Sequence, residues 1–359
     1  MYKPKIGITV GDVNGIGPEV IIKVLSDERI LNQCVPIIYG SSKVISYHKN
    51  IVDPRHFEYN NISAVGYAKE DAVNIYNVWS ESVNITLGEI TSEGGKYAAL
   101  SLERAVQDIK EGELDAIVTA PINKQAMAKV NFGFPGHTEY ISRFFEGHQS
   151  LMCMVNENLR VGLVTNHVSI GEVSGLITKE LVKNKIDVLH DMLVKDFGKE
   201  KPLIAVLGLN PHAGDGGVIG TEDDEIIRPA VIELKKSGRL VFGPFAADGF
   251  FGSGEYRKYD GIIAMYHDQG LAPFKLLSFG KGVNFTAGLP IIRTSPDHGT
   301  GFDIVGQNIA DPQSMRQALY LAIDTIRNRR NYKTWNENPL QKQNIQQGSD
   351  DFDPSEFEE

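Results

Sequence analysis

Short, nearly continuous apolar runs alternate along the chain with longer segments whose apolar residues recur every three or four positions. The runs fall at 6–10, 36–39, 116–119, 161–165, 204–209 and 261–265. Runs this short with so few polar interruptions predict strands of a parallel sheet covered on both faces. Between them, Ala98, Leu102, Ala105, Val106 and Ile109 share one face of a helix over 93–110. Leu181, Leu189, Met192, Leu193 and Phe197 do the same over 179–197, and Met315, Leu319, Ala322, Ile323 and Ile326 over 313–330. Thr221 with Asp224 has capping-box spacing and predicts the opening of another helix. The alternation predicts an α/β protein with two mostly parallel sheets.

Two stretches break the pattern. Residues 41–90 are rich in Asn, Tyr, Ser and Lys and predict an insertion of irregular or antiparallel structure. From Asn331 the apolar stripe collapses into the polar run Gln341–Gln347 and the acidic run Asp350–Glu359, which predict a disordered tail. The length of 359 residues suits two domains. A formal net charge of -10 argues against nucleic-acid partners, because phosphate backbones need a broad basic face. Cys34 and Cys153 make no disulfide framework, so a reducing, cytoplasmic setting is expected. No apolar run approaches the ~18 residues a bilayer demands, and no membrane partner is expected.

The chemistry concentrates after the strands. The run at 161–165 leads into Asn166-His167, that at 204–209 into Asn210-Pro211-His212, and that at 261–265 into Tyr266-His267-Asp268. Ligands of open parallel sheets bind at the carboxyl ends of strands. Three histidines in that position either converge on a divalent metal or each hydrogen-bond a loop. Gly136-His137-Thr138 enters a helix, where N-termini attract phosphates, or else Thr138 simply caps it. Lys275, Asn284 and Arg293 are lone polar groups between apolar residues. They suit a phosphate and a carboxylate if they meet, and are solvated or snorkelling if not. Gly299, Gly301, Asp303 and Asn308 lie in a glycine-rich stretch that permits close approach to a nucleotide. The loop Gly11–Gly17 lacks the G-x-G-x-x-G fingerprint, so it is either a ligand loop or a tight turn with Pro18 opening a helix.

Read in order, Asn14-Gly15-Ile16-Gly17-Pro18-Glu19, Pro135-Gly136-His137-Thr138-Glu139, Asn210-Pro211-His212-Ala213-Gly214, Tyr266-His267-Asp268-Gln269-Gly270, Pro273-Phe274-Lys275, Asn284-Phe285-Thr286 and Arg293-Thr294-Ser295-Pro296-Asp297-His298-Gly299-Thr300 resemble the 4-hydroxythreonine-4-phosphate dehydrogenase family over residues 5–330. The stretch from His298 is also similar to the adenosine loop of isocitrate and isopropylmalate dehydrogenases.

The resemblance implies two α/β/α domains of that superfamily, with the active site in the cleft between them. Residues 1–130 with 295–335 would form the cofactor side, 131–294 the metal, substrate and dimerisation domain, and 336–359 the tail. It implies NAD- or NADP-dependent oxidation of 4-phosphohydroxy-L-threonine, followed by decarboxylation, in pyridoxine 5'-phosphate synthesis. His167, His212 and His267 would bind one divalent ion (Zn, Mg, Co or Mn), with the site shared across a homodimer interface. His137, Thr138, Lys275, Asn284 and Arg293 would contact substrate. Asp248 and Lys275 would serve catalysis, and Gly299, Gly301, Asp303 and Asn308 the cofactor. Two departures, Val10-Gly11-Asp12-Val13-Asn14 at the first loop and the long 41–90 segment, leave a second substrate open: erythronate or threonate 4-phosphate.

Overall fold

The computed structural model describes residues 2–338 except Arg55, Pro135, Glu146 and Phe279. The polar and acidic runs after residue 340 lie outside the described residues. Twelve strands form the scaffold: β1 (Lys5–Thr9), β2 (Val35–Gly40), β3 (Tyr59–Ile62), β4 (Val73–Asn77), β5 (Ala116–Thr119), β6 (Leu151–Val155), β7 (Arg160–Leu163), β8 (Ile204–Leu207), β9 (Val241–Phe245), β10 (Gly261–Ala264), β11 (Val283–Ala287) and β12 (Arg293–Pro296). All join one sheet in the order β3-β4-β2-β1-β5-β12-β11-β6-β7-β10-β8-β9.

The class is the expected α/β one, but the expected pair of sheets is continuous. From β3 to β12 all strands are parallel, and so are β7, β10, β8 and β9. Between the two parallel blocks, β11 and β6 run antiparallel to their neighbours. This antiparallel seam fuses the blocks edge to edge, and it reverses the strand direction between them. The apolar pattern does not mark β11 and β12, because Asn284, Thr286, Arg293 and Ser295 interrupt them with polar side chains.

The 41–90 segment also differs from expectation. It holds a helix, Ser42–Val52, and two parallel strands, β3 and β4. These end the sheet, so β3 is only half-covered and its sequence Tyr-Asn-Asn-Ile carries edge polarity. The helix expected to end near Arg330 runs Gln313–Glu337. Its last turns are largely exposed, with Tyr332 only partly covered, so no apolar stripe is required to extend a helix already nucleated. The helix after Thr221 opens with a π turn, Asp223–Ile227, before Arg228–Lys236. There the Thr221 hydroxyl donates to Glu225, at 3.1 Å, rather than pairing with Asp224.

One consequence of strand pairing positions the site. Register pairs Arg293 with Ile117, Ser295 with Asn284, and Thr286 with Met152. Side chains alternate along strands, so Thr119, Met152, Asn284, Thr286, Arg293 and Ser295 project from one face. The opposite face is closed by the helices Lys179–Lys195 and Gln313–Glu337. There the Thr294 hydroxyl donates to the Ala318 carbonyl at 2.8 Å, and Phe197 packs on Phe285. Among the described residues, no helix is long and apolar enough to cross a membrane.

Candidate active site

The polar face of the seam floors a cavity of about 210 Å³. Its walls are the loop after β5 with Lys124, the start of the helix His137–Phe144, Asn166-His167 after β7, and His298-Gly299 after β12. Four buried side-chain atoms in this lining have no hydrogen-bond partner: His137 Nε2, Asn166 Oδ1, Asn284 Oδ1 and His298 Nε2. Buried polar atoms are nearly always paired, so four orphans around one cavity mark groups waiting for a ligand. A larger recess of about 560 Å³ opens beside the 156–159 turn, yet none of the orphaned atoms among the described residues lines it.

Arg293 dominates the floor. Its residue is 3% exposed, and its guanidinium donates to the hydroxyls of Thr119 (2.8 and 3.1 Å) and Thr286 (3.2 Å). Among the described residues it makes no ion pair. Burial pulls its pKa down to about 10, opposed by the charge of Glu139, so it remains a cation at neutral pH. Burial, and then the positive charge of Arg293, hold the His137 imidazole well below its ordinary pKa. A buried cation without an ion-pair partner is costly, so an anionic ligand is the group this floor fits. Thr138 stands on the same helical turn and also lines that space.

The three strand-end histidines follow neighbouring parallel strands, β7, β10 and β8, and so leave the same edge of the sheet. His167 and His267 are close, with ring centroids 5.7 Å apart. His267 Nδ1 lies 2.7 Å from the Asp268 carboxylate, which favours the tautomer with Nε2 free to ligate. Burial, followed by Lys124, lowers the pKa of His167, favouring the neutral form a metal requires. His212 does not join them: among the described residues, no three His, Cys, Asp or Glu side chains are grouped to hold a metal. His212 is exposed on the turn Pro211–Gly217 at φ 55, followed by Ala213 at 52 and Asp215 at 45. Left-handed backbone at three non-glycine residues is strain of the sort concentrated at functional loops.

Other expected residues are scattered. Lys275 is exposed on the helix His267–Ser278, and Asp248 is exposed at the start of the helix Ala247–Gly252. Neither lines the cavity. Gly299 does, with open space where a side chain would stand. Gly301 and exposed Asp303 continue that loop. The Asn308 amide is instead used locally, donating to the Val52 carbonyl at 3.2 Å. Pro18 opens the helix Gly17–Leu25, as a tight turn requires, and the Gly11–Gly17 loop buttresses the 299–301 loop. There the Ile16 N–H donates to the Thr300 carbonyl at 2.9 Å.

Sequence reasoning missed Lys124, Glu139, Asn166 and His298 as cavity residues. Lys124 follows the end of β5, and the same strand-end rule that flagged the histidines would have found it. The other three adjoin residues that were singled out, but their convergence depends on the seam.

Fold and site together define an α/β enzyme with a cavity for a small anionic metabolite over the centre of its sheet. Residues 32–322 match the family model described as pyridoxal phosphate biosynthetic protein PdxA, and the chain belongs to that family. Over 352 residues it is 50% identical to the 4-hydroxythreonine-4-phosphate dehydrogenase of Bacteroides thetaiotaomicron, covering 97% of this chain and 96% of that one. A crystal structure of the enzyme of that name from Klebsiella pneumoniae superimposes with a TM-score of 0.79 at 33% identity, over 90% of this chain and 98% of the other. A provisionally named D-threonate 4-phosphate dehydrogenase of Oceanobacillus iheyensis is 38% identical, over 90% of this chain and 98% of that one.

Proposed function

We propose that this chain is a cytoplasmic, homodimeric dehydrogenase that oxidises 4-phosphohydroxy-L-threonine with NAD or NADP and one divalent metal ion. The product β-keto acid would lose CO₂ to give 3-amino-2-oxopropyl phosphate for pyridoxine 5'-phosphate synthesis. The carrying observation is Arg293, a buried cation whose partners are hydroxyls, set beside the orphaned atoms of His137 and Asn284. In this reading Arg293, His137, Thr138 and Asn284 hold the phosphate, and Lys124 faces the carboxylate. Lys275 reaches the substrate only if subunits pair, because it lies outside the cavity of one chain.

The donor set suits a divalent ion: two adjacent imidazoles with an amide oxygen from Asn166 nearby. His167, His267 and His212 would hold it, the third arm closing at the subunit interface. When bound, the ion supplies Lewis acidity at the C3 oxygen, and the nicotinamide, against the loop of Gly299, Gly301 and Asp303, supplies the hydride acceptor. The chain's own part is to orient C3, exclude water and accept the hydroxyl proton, a role for which Asp248 is the candidate only if subunits pair, because like Lys275 it lies outside the cavity of one chain. Residues 1–130 with 295–335 would act as the cofactor side and 131–294 as the substrate side. The parallel pairing of β12 with β5 supports that division.

The test is NAD(P)H formation at 340 nm from 4-phosphohydroxy-L-threonine, with EDTA and with added Mn²⁺ or Zn²⁺. Metal-dependent reduction accompanied by CO₂ release is expected. Reduction only with erythronate or threonate 4-phosphate would move the enzyme to sugar-acid metabolism. Activity that resists chelation and survives His167→Ala would remove the metal from the scheme.

A further inference from the structure

The three strands that lead into histidines are tied together at their ends by a transverse row of hydrogen bonds. β7 and β10 stay paired to the last residue. The Val164 N–H donates to the Ala264 carbonyl at 2.9 Å, and the Thr165 N–H and hydroxyl both donate to the Met265 carbonyl, at 3.1 and 2.8 Å. β10 and β8 behave differently. Their ladder stops at Ile263 with Val206, and the same register carried on would set Met265 opposite Gly208. The carboxamide of Gln269 fills that place. Its oxygen accepts from the Met265 N–H at 2.7 Å, and its nitrogen donates to the Gly208 carbonyl at 2.6 Å. The side chain thus stands between two strand ends as an inserted peptide group would, one donor and one acceptor in use.

Each joint of this row is close in sequence to an imidazole. Thr165 shortly precedes His167, Met265 and Gln269 flank His267, and Gly208 leads through Leu209, Asn210 and Pro211 to His212. That last stretch is held firmly. The fully buried Asp223 carboxylate accepts from the Leu209 N–H at 2.8 Å and from the backbone and side-chain nitrogens of Asn210 at 3.0 Å each. A Cβ on Gly208 would stand 2.9 Å from Ala213, so the strand end touches the turn that carries His212. A shift of the Gly208 carbonyl therefore carries His212 with it. Helix capping does not account for Gln269. Closing the start of the helix His267–Ser278 uses only its oxygen, whereas its nitrogen reaches across to another strand.

We propose that Gln269 is a positioning residue for the histidine edge: its amide fixes the turn of His212 relative to the strand of His267 and so sets how tightly the edge takes up a divalent cation. The inference rests on the metal-dependent dehydrogenase reading above and deepens it. Whichever copy of the chain supplies each imidazole, every one of them leaves a strand end whose place this row determines. Groups behind metal ligands hold the ligands in the geometry the ion needs, and their loss costs affinity even though they never touch the ion.

The test measures Mn²⁺ affinity by chelator competition, with the metal-free melting temperature followed in parallel, in the full chain. Gln269→Glu keeps the oxygen that accepts from Met265 but sets a carboxylate against the Gly208 carbonyl. Gln269→Met removes both bonds at similar length without adding a charge, and guards against a Glu variant that fails to fold. Each should weaken Mn²⁺ about tenfold, while the metal-free melting temperature falls by less than about 5 °C. The same changes are then made in a His212→Ala background. There they should alter Mn²⁺ affinity less than about twofold, because the ligand through which Gln269 acts is already gone. A tenfold loss that persists without His212 overturns the inference, since Gln269 would then act through the His267 helix. Unchanged Mn²⁺ affinity with a lowered melting temperature overturns it too, leaving Gln269 a purely structural tie and the metal reading intact. A wild type that takes up no Mn²⁺ removes the metal from the dehydrogenase reading and this inference with it.

Discussion

Arg293 reaches its hydroxyl partners from the seam, so its charge is fixed in place before any ligand arrives. Lysine in its place keeps the charge but loses the planar fork that bonds Thr119 and Thr286. Arg293→Lys should therefore raise KM for the phosphorylated substrate about 10²-fold with a smaller change in kcat, and steady-state kinetics would show it. A second buried charge has the opposite standing. Asp12 is 1% exposed, with one carboxylate oxygen accepting from the Asn14 N–H at 2.9 Å and the other unpartnered. Burial raises its pKa to about 6. The folded state thus binds this proton more tightly than the unfolded chain does, and stability falls as pH rises from about 4 to about 6. Asp12→Asn should stabilise the protein by roughly 2 kcal/mol at pH 8 and by almost nothing at pH 4. Urea unfolding at the two pH values checks the sign. At this scale the sequence singled out His137, His167, Asn284 and Arg293, which the fold brings to one cavity. It did not show that Glu139 shares their cavity, because Glu139 lies on no periodic face and the packing of the helix His137–Phe144 over the seam brings it there.

Among elements, the helix Ser92–Lys110 fixes one wall of the site through its packing on the short helix Lys124–Lys129. A glycine pair at its start lets it dock: a Cβ on Gly95 would stand 2.1 Å from the Ala126 carbonyl oxygen, and one on Gly94 would stand 2.5 Å from Asp12. Ala126 belongs to the short helix Lys124–Lys129, so that contact also sets the position of Lys124. Gly95→Ala forces backbone against backbone, which no rotamer change relieves. It should cost about 1–3 kcal/mol, measured as a drop in melting temperature, and weaken substrate binding as Lys124 shifts. The stripe over 93–110 was legible because its apolar spacing matches the helix that formed. β3, β4, β6, β9, β11 and β12 were not: edge position and the polar cavity floor explain β3, β11 and β12, whereas β6 and β9 are short apolar runs without a helical stripe beside them to mark them out. Where the sheet faces a ligand instead of a helix, hydrophobic periodicity stops reporting it.

For the whole molecule, the notable exposure is apolar and follows the histidines. After His167 come Val168 at 40% and Ile170 at 74%, and after His212 comes Val218 at 80%. Apolar residues gathered beside one functional edge mark a contact surface more than chance exposure does. A second copy of the chain would cover them and exclude water from the imidazoles at the same time. The turn that strains His212 would then be held by packing against the partner. Paired substitutions Ile170→Glu and Val218→Glu should convert the proposed dimer to a monomer in sedimentation velocity. Because the third imidazole is not grouped with His167 and His267 in one chain, Mn²⁺ affinity should fall more than about tenfold in the same variant, judged by chelator competition. A monomer that keeps full metal affinity would mean that movement of the Pro211–Gly217 turn within one chain completes the site, and that the apolar edge serves assembly alone.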